Sequence, residues 1–363
     1  MSFLLLSFVV SLIATLLVVR SSDRHAHLSA DHELGGPQKF HRRPVPRVGG
    51  VGVLIAMLSG ALLAQLMNSP LSASIWLFLA CALPAFGAGL AEDLTKKVSP
   101  AKRLWATAAS AALGAWCLDA LIRRTDIPGV DLLVQMPIGA IALTLLVVSG
   151  VANAVNIIDG FNGLAAMCAL IMLLALAYVG LQVNDRLVVT LALIAAGATL
   201  GFFVWNFPAG LIFLGDGGAY LLGFVIAELG VLVIARHPTV SPLFPLLLCA
   251  YPIFETIFSI YRKKYLRHMS PGLPDGVHLH MLVHRRLIRP LIGESPELSL
   301  RARNSMTSPY LWLLCSLSVI PAMLWFSHTA VLAGFIVLFM VSYTALYWSI
   351  VRFKVPRWAV VRH

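Results

Sequence analysis

Charged side chains are scarce in this sequence: 12% of its 363 residues are Asp, Glu, Lys or Arg, about half the share of an ordinary soluble domain. Set against 59% hydrophobic residues, that shortage excludes a water-soluble fold, which cannot hide so much apolar surface. Cysteine is sparse too. The five, Cys81, Cys117, Cys168, Cys249 and Cys315, all fall inside apolar runs, with no CxxC pair and no histidine at metal spacing. They read as small buried hydrophobes, not as a disulfide framework or a zinc site. No zinc-finger, helix-turn-helix or RNA-binding signature accompanies the net charge of +11, so nucleic acid is not an expected partner. Basic residues near helix ends orient a membrane protein and meet anionic headgroups instead, which makes the lipid bilayer the first partner. Met1 to Arg20 has no basic region before its apolar stretch and no obvious small-residue cleavage site after it. It reads as a retained first helix, not a signal peptide.

What is present is apolar length. Runs of about 17 to 23 residues, enough to cross a bilayer core as helix, fall near 2–20, 48–67, 72–90, 104–122, 137–155, 163–181, 187–205, 218–236, 242–261, 309–327 and 329–351. The expected fold is therefore all-α: a polytopic integral membrane protein of about eleven spans, forming one domain over 1–363. An odd number of spans puts the termini on opposite sides, so alternate loops form two sets. One set, near 21–47, 91–103, 156–162, 206–217 and 262–308 with the tail after 351, holds 23 of the 27 Lys and Arg when Arg20 at its edge is counted. The other holds only Arg123, Arg124, Arg186 and Arg236. By the positive-inside rule the first set is cytoplasmic, the N-terminus is outside and the C-terminus is cytoplasmic.

Polar side chains at membrane edges need a partner or a job, and four patches stand out in the basic set of loops. Glu92 and Asp93 end the third run and are followed by Lys96 and Lys97. Such a cluster either closes a helix terminus or holds a cation and steers a phosphate. Asn153, Asn156, Asp159, Gly160, Asn162 and Gly163 join two spans without one basic residue, so orientation cannot explain them. Gly215, Gly217 and Gly218 surround Asp216 just before a span. There the backbone can approach a ligand closely and a helix N-terminus follows, although Asp216 could equally serve as a helix cap. No Lys-Ser/Thr pair follows, which excludes a Walker A loop. His278 and His280, in the stretch from Asp275, lie near His284, Arg285 and Arg286. Those arginines fit phosphate better than zinc. Together the patches offer carboxylates for a hard divalent ion, amides for a base or sugar and cations for phosphate. Magnesium held by one or two carboxylates plus substrate phosphates suits such a set.

In these motifs, and in Pro44 to Gly50 before them, the chain resembles the polyprenyl-phosphate N-acetylhexosamine-1-phosphate transferases, glycosyltransferases of family 4. The resemblance runs along nearly the whole chain. It implies an eleven-helix fold and transfer of a sugar 1-phosphate from a UDP-N-acetylhexosamine to undecaprenyl phosphate. UMP is released with the help of Mg2+, for which Mn2+ is an alternative. On the matching positions Asp216 is the metal-binding aspartate, assisted by Asn156, and Asp93 is the second member of an acidic pair associated with the lipid acceptor. Asn153, Asn156, Asp159 and Asn162 handle the nucleotide, and His278 and His280 contact phosphates or sugar. Arg42 falls near a basic position of the first cytoplasmic loop, and Lys96 is assigned to the acceptor. Arg285 and Arg286 are expected near phosphate. The expected catalytic set is Glu92, Asp93, Asp159 and Asp216. Three departures stand out: Glu92 replaces an aspartate, Asn162 stands where many members have aspartate, and Met281 replaces a histidine, so a third-histidine role is not carried over unless His284 substitutes. The histidine stretch looks more like the N-acetylglucosamine branch than the muramoyl-pentapeptide branch, which points to initiation of an O-antigen-type surface polysaccharide in a bacterial inner membrane. A homodimer is compatible with the resemblance. The rival reading of the same spans is a transporter or flippase, against which stand the absence of an evident repeated half and the gathering of motifs at one face.

Overall fold

A computed structural model describes residues 1–21, 45–266, 268, 276–288 and 298–352; Arg42 and Asp275 lie outside the described residues. The described chain is built from helices: α1 (Ser2–Arg20), α2 (Gly49–Leu66), α3 (Ser72–Thr95), α4 (Pro100–Leu118), α5 (Val130–Val134), α6 (Pro137–Ile158) and α7 (Leu164–Gln182). After these come α8 (Arg186–Asn206), α9 (Gly215–Arg236), α10 (Leu243–Leu248), α11 (Ala250–Tyr261), α12 (Leu279–Val283), α13 (Leu298–Leu324) and α14 (Thr329–Val351). Nine of the described helices are long and apolar enough to cross a membrane, so the protein is a multi-pass membrane protein. The two remaining expected spans are also helical but differ from the expectation. α4 starts at Pro100, with Lys102 and Arg103 in its first turn, and stops at Leu118. The span expected over 242–261 is two pieces, α10 and α11, meeting at Cys249. Pro252 lacks the N–H that would bond the carbonyl four residues back and its ring crowds that carbonyl, which breaks the helix where α10 ends.

α9 is the axis of the bundle. Of its spanning window 94% is buried, and α2, α3, α4, α6, α7, α8 and α10 all pack on it. At the periphery the rule of a soluble core is reversed. α1 buries Ser7, Ser11 and Thr15, one turn apart, and turns Leu5, Val9, Ile13 and Leu17 outward. Ser7 donates to the Ala56 carbonyl at 3.2 Å and Ser11 to that of Ala198 at 2.6 Å. Opposite them, Gly197 and Gly201 of α8 leave room for the α1 backbone at Leu4 and Phe8. Small residues and hydroxyls at the seam, with leucines toward lipid, are what a bilayer solvent selects, since apolar burial between helices gains nothing there. Pro84 inside α3 is accommodated in the same currency of hydrogen bonds: the next amide, Ala85 N–H, donates to Ser110 Oγ of α4 at 3.0 Å. All five cysteines are free and four are buried, as small hydrophobes should be.

Candidate active site at one end of the bundle

The segment Val45–Val48 runs beside the Phe213 turn. Phe213 N–H donates to the Pro46 carbonyl at 2.9 Å, Gly49 N–H to that of Phe213 at 3.0 Å and Gly50 N–H to that of Leu214 at 2.9 Å. This pairing delivers Arg47 to the start of α9. Gly215 there has φ +75, a left-handed conformation that costs glycine nothing, and a Cβ on it would strike the Arg47 carbonyl. Leu214, at the N-cap position, has no side-chain acceptor to offer. The cap comes from another helix: Asp93 of α3 accepts from Asp216 N–H and Gly217 N–H, each at 2.9 Å, one per carboxylate oxygen. Gly89, one turn back on α3, allows the close approach, for a Cβ there would lie 2.6 Å from the Asp216 carbonyl carbon.

Held this way, the Asp216 carboxylate faces groups from three other segments. Asn156 at the end of α6 donates Nδ2 to Oδ1 at 3.0 Å. Arg103 of α4 forms an ion pair with Oδ2, and Arg47 lies 3.7 Å from Oδ1. One turn further along α9, Tyr220 donates its hydroxyl to Asn153 Oδ1 at 3.1 Å and lies under the Arg103 guanidinium, 5.9 Å from the ring centroid. Asp159 terminates α6. Burial pushes its carboxyl up to about 7, partly opposed by the charge of Arg47 and reinforced by that of Asp93. The histidine segment closes on this run. His280 Nε2 lies 3.3 Å from where a Cβ of Gly160 would be, and the Phe161 ring meets His280 edge-on at 5.7 Å and His284 at 5.1 Å. Burial holds the His280 imidazole well below the usual histidine range, at about 3.

The structure thus brings Asp93, Asn153, Asn156, Asp159, Asp216 and the two histidines to one end of the bundle, as alternate loops on one side require. Several residues make contacts within the fold. Asp93 is 1% exposed and its carboxylate is directed at the start of α9, not outward to an acceptor. Glu92 turns away and accepts from Val98 N–H at 2.7 Å, closing the loop after α3. Lys96, exposed, ends α3 in the left-handed conformation at φ 54. Asn162 is buried; its amide donates to the Pro208 carbonyl at 3.1 Å, and its backbone is gripped by Asn304 and Ser308 of α13. Arg286 donates to the last carbonyls of α14, at Ile350 and Val351, and Arg285 to the Gly276 carbonyl at 2.9 Å. These contacts stabilise helix ends and loops, which also attract cations.

Arg103 and Glu255 were missing from the expected set. Arg103 was absorbed into the one-sided basic count, where any loop cation looks alike. Glu255 carried a usable signal, since a single carboxylate inside an apolar run is costly unless employed.

Residues 75–234 match the family model for glycosyl transferase family 4. The chain is 29% identical over 283 residues, 76% of each chain, to a probable undecaprenyl-phosphate N-acetylglucosaminyl 1-phosphate transferase of Bacillus subtilis. It is 29% identical over 305 residues, 75% of this chain and 70% of the relative, to a decaprenyl-phosphate N-acetylglucosaminephosphotransferase of Mycolicibacterium smegmatis. With an undecaprenyl-phosphate alpha-N-acetylglucosaminyl 1-phosphate transferase of Thermotoga maritima it shares 26% over 250 residues, 69% of this chain and 72% of that one. The matched stretch contains Asp93, Arg103, Asn156, Asp159 and Asp216, so most of the Asp216 cluster lies where the chain is similar to glycosyl transferase family 4, and the resemblance drawn from the motifs holds.

Proposed function

We propose that this protein transfers an N-acetylhexosamine 1-phosphate, with N-acetylglucosamine the favoured sugar, from a UDP-sugar to undecaprenyl phosphate. The reaction releases UMP and starts a lipid-linked surface polysaccharide at the cytoplasmic face of the inner membrane. The observation that carries this reading is the convergence on Asp216 of an amide and two guanidinium groups from three other segments. Attack of a lipid phosphate oxygen on the sugar-bearing phosphorus brings two anions together, so neutralisation and alignment dominate the barrier. Arg47 and Arg103 supply cationic charge at the start of α9, and guanidinium groups favour phosphate. A phosphate monoester, with its second pKa near ~6, is largely ionised at neutral pH; the acceptor therefore needs no strong base. Asn153 and Asn156 are half-buried amides, and this reading gives them a base or sugar as partner.

The donor set fits magnesium. Asp216, the Asn156 amide oxygen and Asp159 are hard oxygen ligands without a thiol among them, and among the described residues no three acidic, histidine or cysteine side chains form a cage of their own. Such a site is completed by substrate phosphates. When bound, the ion would screen the diphosphate charge and favour departure of UMP. The test is purified protein with UDP-N-acetylglucosamine, undecaprenyl phosphate and magnesium, scored for UMP. Release dependent on both substrates is expected. No release with any UDP-N-acetylhexosamine would overturn the proposal in favour of transport.

A further inference from the structure

Glu255 lies in α11 within an apolar stretch, fully buried, and all its partners are donors. His278 Nδ1 is 2.8 Å from Oε1, Leu279 N–H donates to the same oxygen at 3.1 Å, and Tyr343 of α14 donates its hydroxyl to Oε2 at 2.6 Å. An ionised carboxylate is acceptor-only, so it holds the proton of His278 on Nδ1 and leaves Nε2 as the end of the ring available to a ligand. The consequence passes along the segment. The rings of His278 and His280 lie parallel, 3° apart, with centroids at 5.2 Å, and His280 in turn rests against Gly160 beside Asp159. Packing alone would be served by leucine at a far lower desolvation cost; what leucine cannot do is fix the rotation and tautomer of an imidazole.

We infer that Glu255 is a positioning residue for the transfer reaction, setting His278 and, through the ring stack, His280 toward the donor's phosphates. This inference rests on the transferase reading. The experiment is a cycle on the full-length protein in detergent: Glu255→Ala, Glu255→Gln, Tyr343→Phe and His278→Ala, with Glu255→Ala and Tyr343→Phe each also combined with His278→Ala. UMP release is measured while the UDP-sugar and the lipid are varied separately. Removing an orienting partner of a histidine costs ~10–100-fold, and that loss is expected in kcat/KM for the nucleotide sugar, with KM for the lipid unchanged. Glu255→Gln keeps an acceptor oxygen for His278 and recovers most of it. In the His278→Ala background the Glu255 change adds less than about 3-fold, because residues acting as one unit are not additive. Full additivity, or losses in Glu255→Ala and Glu255→Gln that follow thermal unfolding alone, would overturn the inference. If Glu255→Ala fails to fold, Tyr343→Phe carries the same cycle. A wild-type protein that releases no UMP sinks the transferase reading and this inference with it. Active wild type with additive variants sinks only the positioning role.

Discussion

Each end of the bundle has a buried aspartate at a helix start, and the two are used in opposite ways. At the end away from the motifs, Asp185 is the N-cap of its own helix, accepting from Leu187 and Val188 N–H at 3.1 Å each. Its second oxygen meets His237 at 2.9 Å and Arg236 at 3.2 Å. Arg124 beside it donates to the Pro238 and Val240 carbonyls. Every one of these charges is answered by a neighbour that closes a loop. At the motif end the cap and the functional carboxylate are different residues: Asp93 takes the amides, and Asp216, relieved of capping, presents its carboxylate to Arg47, Arg103 and Asn156. Asp159 makes no side-chain hydrogen bond among the described residues. The difference teaches that a buried carboxylate becomes a candidate for chemistry when another residue has taken over its structural duty.

The comparison breaks most visibly in paired substitutions. Asp216→Asn is expected to lower transfer about 10³-fold, the scale of removing a key electrostatic group from a site, with the thermal midpoint held. Asp185→Asn should do the reverse, since losing ion pairs to partly exposed Arg236 and His237 and weakening a cap cost about 1–2 kcal/mol. The midpoint falls while the activity of the folded fraction stays. Both are read by UMP release and detergent-solubilised thermal unfolding on the same preparations. If Asp185→Asn abolished turnover in folded protein, the two ends would not be separable as described.

Asp93→Asn sharpens the division between cap and ligand. One amide of α9 loses its acceptor, so both quantities should fall together, transfer by ~100-fold and stability by ~1–2 kcal/mol, the range for a lost cap. A change in activity alone would return Asp93 to the acceptor site. Acid should act through Asp159, whose carboxyl is raised to about 7. Below that pH it is neutral, so kcat/KM is expected to fall as pH drops through about 7, and Asp159→Asn to flatten that slope. For stability the sign is opposite. The folded chain holds this proton more tightly than the unfolded one, so the contribution is complete below the ordinary carboxylate range near ~4 and is lost as pH rises through the folded value. Asp159→Asn should therefore raise the thermal midpoint of the substrate-free protein at pH 8. The smallest effect belongs to His280, held neutral at about 3 by burial. Nitrogen-15 spectra of labelled histidines should show one ring with no titration between pH 5 and 8.

Much of this molecule was legible in the sequence because membrane physics is severe. Spans of sufficient length, and the glycine and amide runs between them, located nearly every helix and the end at which the site forms. Helix breaks were less visible. Pro252 divides α10 from α11, whereas Pro84 leaves α3 continuous, with the next amide bonded to Ser110 of α4. Site residues were legible as a set but not in their division of labour. Asp93 and Asp216 are both aspartates flanked by motif residues, and which of them caps follows from the approach of α3 to α9, between residues 123 apart in sequence. Arg103 and Glu255 escaped because the partners that define them come from other helices.

The cap that α3 lends to α9 spans 123 residues of sequence. As the chain is made, Asp93 is present long before the amides it caps, with Arg47 and Lys96 as its cationic neighbours until Gly217 has emerged. A chain cut short anywhere between them therefore lacks the two amides that Asp93 caps. Arrival of α9 is then the event that completes the Asp216 cluster, whose other members, Arg47, Asp93, Arg103 and Asn156, all precede it in the chain.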